Sequence, residues 1–249
     1  MARAETAATG SQTPTAKGTP VGRRVFLGMA GLGAAGIVFG SKAQDWLEHV
    51  LAPITARDGT GLSSFLPVGR FRIYSVTGDL PNKSVADYRL LVNGHVNQPL
   101  ELTFADLQGM PPTLLDKDFQ CVTGWRVHNV KWAGVRLGDL LNKAGLKPGA
   151  GGVEFHSFDG EYTESLTMDQ AMRPDVIVAY SMEGKTVARE HGGPVRLYVA
   201  PMYGYKSCKW LDGINVTEGQ PEPGYWEVRG YDVDGWVGKS NGRDDSPTS

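Results

Sequence analysis

The sequence predicts one mixed α+β domain preceded by an export signal. After residue 71, short runs of β-branched, aromatic and other apolar residues are separated by glycine, proline, asparagine and aspartate, a pattern typical of strands and turns. Two or three short helical patterns interrupt these runs without the regular alternation of a βαβ fold. Near the N-terminus, an uncharged stretch follows two arginines and is typical of a targeting segment outside the fold.

The targeting segment contains Arg23-Arg24, followed by an uncharged, glycine-rich stretch up to Ser41. At ~1.5 Å per residue, this stretch barely crosses a hydrocarbon core of about 30 Å, which favours a twin-arginine signal over a permanent membrane span. Ser41 and Ala43 offer the small residues of a cleavage site, and both cleavage after Ala43 and retention as an N-terminal anchor stay open. We assign residues 1–43 to the signal region and expect an extracytoplasmic protein, in the periplasm or at the exterior of the cell envelope.

The remainder of the chain is acidic. Without residues 1–43, 20 basic residues stand against 26 acidic residues, a net charge of about −6. Because no basic stripe appears either, this charge argues against binding to nucleic acid. Residues 44–70 predict a linker or extended arm, residues 71–240 are long enough for one domain with a sizeable core, and residues 241–249 predict a disordered tail.

Strands are expected where apolar and β-branched residues dominate between turn residues. The predicted strand segments are the chain from Phe71 onward and residues 89–92, 117–122, 153–158, 176–182, 195–199, 210–216 and 225–231. Asn93-Gly94 follows the first of these apolar runs and predicts a hairpin. Residues 117–122 predict a buried strand, or a strand that passes into a loop, and they carry a cysteine.

Three short helices are expected between the strands. Residues 102–107 predict a helix capped by Thr103, with Asp106 placed for a capping-box contact. Residues 135–144 place their leucines on one face and stop at a glycine. Residues 167–172 predict a short capped helix. The sequence has no Walker motif, dinucleotide fingerprint, zinc-type spacing or nucleophile elbow, which excludes the common functions that these motifs mark.

Cys121 is the first candidate for chemistry. It lies among the bulky residues Phe119, Val122 and Trp125, and a thiolate in such a setting is a ligand for a soft metal. Two other interpretations stay open at this point. Cys121 is an inert buried cysteine in one. In the other it forms a disulfide with Cys208, because two cysteines in an exported chain ordinarily suggest a pair.

Arg196 is the second candidate, because it interrupts an otherwise apolar strand. A buried guanidinium needs an anionic partner, either an internal carboxylate or the phosphate of a ligand held bidentately. The turn that starts at His191 and the segment 203–209, with its glycine, two lysines and serine, flank the strand. Both segments suit a phosphate. His128 and His156 favour hydrogen-bonded structural histidines, and neither is assigned a role.

These residues resemble the sulfite-oxidase-fold molybdopterin enzymes, over roughly Phe71 to Val216. The branch that they resemble most is the catalytic subunit of bacterial periplasmic protein-methionine-sulfoxide reductases. Two blocks carry the resemblance, in the same order and about seventy residues apart. The first is Cys121-Val122 with Trp125, then the segment 132–135 before a Leu-Leu helix. The second is the segment 193–197, followed by 203–207.

The resemblance implies a molybdenum with one molybdopterin and Cys121 as the protein's sulfur ligand. Such a Cys121 cannot pair with Cys208. The resemblance also implies which residues contact the cofactor, with Arg196 on the pterin phosphate and Phe71 and Tyr74 in a loosely aligned N-terminal stretch. The full set is Phe71, Tyr74, Cys121, Ser157, His191, Arg196, Ser207, Cys208 and Lys209.

The chain departs from sulfite oxidases at Trp125, which stands where they have an arginine near an anionic substrate. The departure favours a neutral or amphipathic substrate, and the resemblance then implies oxygen-atom transfer from a sulfoxide such as methionine sulfoxide in proteins. Since no haem domain is recognised, we expect a separate electron-transfer partner, a membrane haem protein or a quinol-linked one. Two alternatives stay open: turnover of another small sulfur or nitrogen oxide, and a cofactor-free exported binding domain with a Cys121–Cys208 disulfide.

Overall fold

The structure is a computed structural model and describes residues 71–248. The predicted signal region, residues 1–43, and the predicted linker, residues 44–70, lie outside the described residues. In the described part of the chain, no helix has the length and apolar character that a membrane span needs.

The first of two five-stranded sheets has the order β2-β1-β10-β5-β6. Its strands are β1 (Arg89–Gly94), β2 (Leu100–Thr103), β5 (Ala150–Ser157), β6 (Thr163–Thr167) and β10 (Leu211–Glu218). β1 and β10 run parallel, with Leu91 opposite Gly213, whereas the other neighbours in this sheet are antiparallel. The hairpin expected after the first apolar run is confirmed, since β1 and β2 are antiparallel neighbours.

The second sheet carries the residues around Cys121. Its strands are β3 (Thr113–Gln120), β4 (Arg126–Arg136), β7 (Val176–Met182), β8 (Lys185–Thr186) and β9 (Arg196–Val199). The order is β3-β4-β7-β8, and β9 also pairs with β7. All of these pairs are antiparallel. Because β3 and β4 form a hairpin, their connection projects Cys121 from the end of the sheet.

Three short helices lie between the strands: α1 (Phe104–Gly109), α2 (Leu137–Ala144) and α3 (Met168–Ala171). The capping box predicted for α1 is present, since the Thr103 side chain accepts from the Asp106 amide and Asp106 accepts from the Thr103 amide. The cap predicted for α3 is also present at Thr167. Helix α2 starts later than predicted, because residues 135 and 136 still belong to β4.

The main core joins the first sheet to the helices and to part of the second sheet. Its fully buried side chains include Leu90, Leu107, Leu140, Phe155, Val178, Leu197 and Ile214. A second, largely aromatic cluster packs on the other side of the second sheet and contains Phe119, Trp125, Trp132 and Tyr198. This aromatic cluster fixes the base of the β3–β4 hairpin and therefore the position of the Cys121 turn.

Two predicted strands are wrong. Nothing from Phe71 to the start of β1 is a strand, and residues 225–231 form a 3-10 turn (Glu227–Arg229) between irregular segments. Gly230 ends this turn with φ of +94°, a conformation that glycine favours. The aromatic residues of this segment contact each other in tilted and edge-on pairs instead of alternating across a pleat, with 5.0 Å between the ring centroids of Trp226 and Tyr231.

The C-terminal residues also differ from the prediction of a disordered tail, residues 241–249, as far as residue 248. Asp245 is buried and accepts a hydrogen bond of 2.8 Å from the Tyr203 hydroxyl. The Thr248 hydroxyl donates to the carbonyl of Ala200 at 2.9 Å. The composition of this segment is polar, but its polar groups find specific partners on the domain.

Candidate active site

A cavity of about 490 Å³ brings most of the predicted site residues together. Eight of the ten line it: Phe71, Tyr74, Cys121, Trp125, His191, Arg196, Ser207 and Lys209. A larger, open groove of about 650 Å³ lies elsewhere, on the first sheet, and contains none of them. Its charged side chains are mostly paired with each other, as in the 2.8 Å ion pair of Lys83 and Asp212. We therefore place the candidate site in the smaller cavity.

Cys121 sits in a tight turn between β3 and β4. Its amide donates to the carbonyl of Trp125 and its carbonyl accepts from the amide of Gly124, both at 2.9 Å. Gly124 has φ of +101°, which explains a glycine at this position. The Sγ atom of Cys121 lies 3.2 Å from the hydroxyl of Thr123. Burial raises the pKa of the Cys121 thiol, whereas hydrogen bonds from Thr123 and the charges of Arg72 and Arg243 oppose that rise.

Trp125 forms an aromatic wall beside Cys121. Its indole is 3% exposed and stacks on Phe119, with ring centroids 5.8 Å apart. Phe71 and Tyr74 pack on its other sides at 6.1 and 6.5 Å. The indole Nε1 of Trp125 is buried and has no hydrogen-bond partner among the described residues. Because this atom is closed to solvent, the cavity meets the ring of Trp125 and not its N–H.

Further aromatic residues complete the lining and were missed from the sequence. They are Tyr162, Tyr205, Trp210, Tyr225, Trp226 and Tyr231. Tyr162 and Tyr225 stack at 5.7 Å, and Tyr205 meets Tyr231 edge-on at 5.3 Å. The aromatic residues between 225 and 231 were the available signal in the sequence, but they were predicted to form a strand.

Arg196 lies in β9, is 3% exposed and faces the cavity. Its guanidinium donates to three carbonyl oxygens, those of Leu197, His191 and Ser207, at 3.2, 2.6 and 3.0 Å. Among the described residues no carboxylate pairs with it, so the internal salt bridge considered from the sequence is absent there. A guanidinium has five N–H donors, and three bonds leave two of them for a ligand. Burial lowers the pKa of Arg196 to about 10.

His191 and Lys209 lie beside Arg196 in the cavity lining, and we call the three residues the cationic cluster. Burial, reinforced by the charge of Arg196, lowers the pKa of Lys209 to about 8. The same two causes lower the pKa of His191. The lowered pKa values favour the neutral forms of both groups, and a bound anion would favour their charged forms. The cationic cluster and the nearby thiol thus fit a group with a phosphate and a soft metal.

Ser157 and Cys208 do not line the cavity. The Ser157 hydroxyl accepts from the amide of Asp159 at 3.1 Å and stabilises the turn after β5. Cys208 is fully buried in the main core, and burial raises the pKa of its thiol. Both cysteines are free, so the disulfide considered from the sequence is not formed in the structure. The backbone around Cys208 still helps to build the site, because its neighbours Ser207 and Lys209 line the cavity.

Only one of the two lysines in segment 203–209 faces the cavity. Lys206 is fully buried behind the wall, with its Nζ 2.5 Å from carboxylate oxygens of both Glu164 and Glu227 and 2.8 Å from the Ser165 carbonyl. We call Lys206, Glu164 and Glu227 the buried triad. Burial, together with a hydrogen bond and the charge of Glu227, raises the pKa of Glu164 well above its ordinary value against the opposing charge of Lys206.

The remaining polar candidates lie outside the cavity. Arg126 donates to the Gln120 side chain and lies 3.6 Å from Asp118. Nδ1 of His128 is 2.9 Å from the same Asp118 carboxylate, as expected for a structural histidine. His156 lies on β5 and lines the open groove.

The chain belongs to the family described as the oxidoreductase molybdopterin binding domain, which matches residues 77–226, more than half of its length. It is therefore a molybdopterin-binding oxidoreductase with the sulfite-oxidase type of fold, as the sequence resemblance predicted. The family binds a molybdenum–pterin cofactor, and the donor set around the cavity fits that group.

Two relatives match this chain over most of their own length. The Bacillus subtilis (strain 168) protein described as the uncharacterized oxidoreductase YuiH is 39% identical over 161 residues, which cover 64% of this chain and 80% of YuiH. The Azospira oryzae protein described as the putative protein-methionine-sulfoxide reductase subunit YedZ1 is 30% identical over 204 residues. That match covers 81% of this chain and 74% of YedZ1.

Larger relatives share only the domain. The sulfite oxidase of Arabidopsis thaliana is 32% identical over 178 residues, 58% of this chain and 45% of the plant enzyme. The crystal structure of the sulfane dehydrogenase SoxCD from Paracoccus pantotrophus superimposes with a TM-score of 0.52 at 28% identity, over 57% of this chain and 41% of that chain. This chain spans less than half of either protein, so the likeness concerns the cofactor-binding fold.

Proposed function

We propose that this protein is an exported molybdenum–pterin oxidoreductase that reduces sulfoxides, with methionine sulfoxide in oxidised proteins as the substrate class. The observation that carries the proposal is the single cavity that holds a free thiol, an aromatic wall and the cationic cluster. The net reaction consumes one sulfoxide, two electrons and two protons, and it releases a thioether and water.

Two kinds of side chain would hold the cofactor. Cys121 supplies a soft sulfur ligand, and Arg196 with Lys209 supplies donors for the phosphate. The molybdenum–pterin group, when bound, supplies the chemistry of oxygen-atom transfer. The protein's part is to orient that group, exclude bulk water through the aromatic lining and place the substrate beside it.

The aromatic wall favours a neutral sulfur substrate. Sulfur and aromatic rings attract each other, by about 0.3–1.5 kcal/mol for a thioether. The ring of Trp125 lines the cavity, whereas its Nε1 is closed to solvent, so the residue offers a substrate an aromatic surface. Arg126, which follows Trp125, contacts Asp118 and Gln120 and does not line the cavity. The β3–β4 turn therefore contributes an aromatic side chain, and no guanidinium, to the lining beside Cys121.

One observation favours a second candidate, oxidation or reduction of a small anion such as sulfite. Arg72 lines the cavity, and its charge acts on Cys121. Among the described residues Arg72 has no ion-pair partner, so its guanidinium is available to an anionic substrate. A useful rate of sulfite oxidation, with no rate on sulfoxides, would decide for this candidate.

One relative supports the proposed partner, and the sequence supports the proposed location. The name of the Azospira relative includes the word subunit, which supports a separate partner that delivers electrons, for which a membrane haem or quinol-linked protein is the natural class. Arg23-Arg24 supports export by the twin-arginine route, which carries folded proteins across the membrane.

The first test is molybdenum content, measured by elemental mass spectrometry on matured wild-type protein, Cys121→Ala and Cys208→Ala. We expect near-stoichiometric molybdenum in the wild type and in Cys208→Ala, which removes a thiol that does not line the cavity. We expect lost activity and a changed metal spectrum in Cys121→Ala. Wild-type protein without molybdenum or pterin would overturn the proposal.

Substrate class is tested on the loaded enzyme with an artificial electron donor. Free methionine sulfoxide, an oxidised unfolded protein and sulfite are compared at equal concentration. We expect reduction of both sulfoxides and little turnover of sulfite. Negligible rates on both sulfoxides would leave the molybdenum enzyme standing and exclude the proposed substrate class.

A further inference from the structure

Thr123 is placed to act on the sulfur of Cys121. The turn that contains both residues is closed by two backbone hydrogen bonds at 2.9 Å, between Cys121 and Trp125 and between Gly124 and Cys121. This closure holds the Thr123 hydroxyl 3.2 Å from Sγ, within hydrogen-bonding distance for sulfur. Among the described residues the hydroxyl has no other hydrogen-bond partner, so its donor is free for the sulfur.

The direction of this hydrogen bond follows from chemistry. A thiol and a hydroxyl can each donate, but a thiolate bound to a metal carries no proton. Once Cys121 is a metal ligand, the Thr123 hydroxyl must be the donor and the sulfur the acceptor. The bond is then charge-assisted and stronger than a bond between neutral groups.

A hydrogen bond donated to a ligand sulfur changes the metal centre. It draws electron density from the sulfur and weakens its donation to the metal, which stabilises the more electron-rich, reduced state. The bond also fixes the direction in which the Cys121 side chain points, because Sγ is held by the turn on one side and by the hydroxyl on the other.

We infer that Thr123 is a positioning residue for Cys121 that raises the reduction potential of the molybdenum centre through a hydrogen bond to the ligand sulfur. This inference rests on the proposed function, in which Cys121 binds the metal. It assigns a role to a side chain that the sequence analysis left without one.

The test uses three forms of the loaded enzyme: wild type, Thr123→Val and Thr123→Ser. Valine keeps the shape of threonine without the hydroxyl, and serine keeps the hydroxyl. Because Thr123 is exposed, we expect all three to fold and to carry molybdenum. The readouts are the reduction potential from a titration followed by the molybdenum EPR signal, and the shape of that signal.

We expect Thr123→Val to shift the one-electron equilibrium toward the oxidised state about three- to tenfold, which is about 30–60 mV more negative at about 59 mV per decade. Thr123→Ser should return close to the wild-type potential and signal. A valine variant with the wild-type potential, or a serine variant that behaves like valine, would overturn the inference while the proposed function stands. Wild-type protein without molybdenum would overturn both.

Discussion

Single residues in the cavity suit it to the proposed anion, and Lys209 is one whose charge changes above neutral pH. Its pKa is lowered to about 8 by burial and by Arg196, whereas Arg196 keeps its proton to about pH 10. A lysine with a lowered pKa is charged below that pH in the folded protein and neutral above it. An anion that needs the charged form therefore binds more weakly as the pH rises through 8.

We predict that cofactor-free protein binds sulfate, a phosphate mimic with no protonation change in this range, up to about tenfold more weakly per pH unit above about pH 8. Calorimetry or tryptophan fluorescence between pH 6 and 9.5 measures the affinity. Lys209→Met should bind weakly at every pH and show no such fall. A wild-type affinity that stays constant to pH 9.5 would contradict the assignment of Lys209 to the phosphate.

A second prediction about a single residue concerns Trp125. Trp125→Phe keeps an apolar wall but reduces the aromatic surface that faces the cavity, so we expect retained molybdenum and a severalfold higher KM for methionine sulfoxide. Trp132 is a matched control, because it is equally buried, stacks on Tyr198 at 4.5 Å and does not line the cavity. Trp132→Phe should cost a similar ~1–3 kcal/mol of stability without changing KM. Equal KM values in both variants would remove Trp125 from substrate binding.

At the scale of elements, the buried triad joins three segments behind the cavity wall. Lys206 belongs to the 3-10 turn of residues 204–206, Glu164 to β6, and Glu227 to the turn after Trp226. Two carboxylates against one ammonium leave a net negative charge in a fully buried place, unless one carboxyl keeps a proton. The raised pKa of Glu164, caused first by burial, indicates that the Glu164 carboxyl keeps the proton.

A protonated Glu164 predicts an unusual order of stabilities. Glu164→Gln should cost no more than about 1 kcal/mol, because an amide replaces the protonated carboxyl, whereas Lys206→Met should cost about 3–5 kcal/mol by leaving a buried carboxylate unpaired. The raised pKa of Glu164 means that its contribution to stability is complete at low pH and is lost as the pH rises through the raised value. Urea unfolding across pH 5 to 9 should show this loss in the wild type and less of it in Glu164→Gln. A Glu164→Gln variant as strongly destabilised as Lys206→Met would refute a protonated Glu164.

Elements whose signals are local were predictable from the sequence. The caps at Thr103 and Thr167 require contacts only three residues away, and both predicted caps are present. β6 (Thr163–Thr167) was missed because its polar, acidic residues resemble a loop until Glu164 is paired with the distant Lys206. The aromatic run 225–231 was assigned to a strand because its partners, such as Tyr162 and Tyr205, come from other segments.

The same distinction applies to the site. Cys121 stands out in the sequence as a thiol among bulky apolar residues, and Arg196 stands out as a charge within an apolar strand. Both line the cavity. Thr123 was not recognised, because its hydroxyl matters only through a turn geometry that the sequence does not reveal. The resemblance implied that Ser157 contacts the cofactor, yet its side chain stabilises a turn beside the cavity.

At the scale of the whole molecule, the cavity is assembled from widely separated parts of the chain. Its lining comes from residues 71–76, the turn after β3, β9 with its flanking segments, and residues 225–231. No single segment presents both the thiol and the cationic cluster. A cofactor that contacts Cys121 and Arg196 together therefore requires the chain to be folded before the cofactor is bound.

This assembly predicts how export and cofactor loading depend on each other. If the chain folds and binds molybdenum in the cytoplasm, it must leave by a route that accepts folded proteins, which Arg23-Arg24 indicates. We expect the Arg23→Lys/Arg24→Lys double variant to accumulate in the cytoplasm with near-stoichiometric molybdenum, whereas the wild type is found outside the membrane. Cell fractionation with molybdenum analysis of each fraction measures both quantities, and Lys17→Arg serves as a nearby control that should be exported normally. Undiminished export of the double variant would show that the arginine pair is not the signal, because a lysine pair retains the charge and loses only the specific recognition.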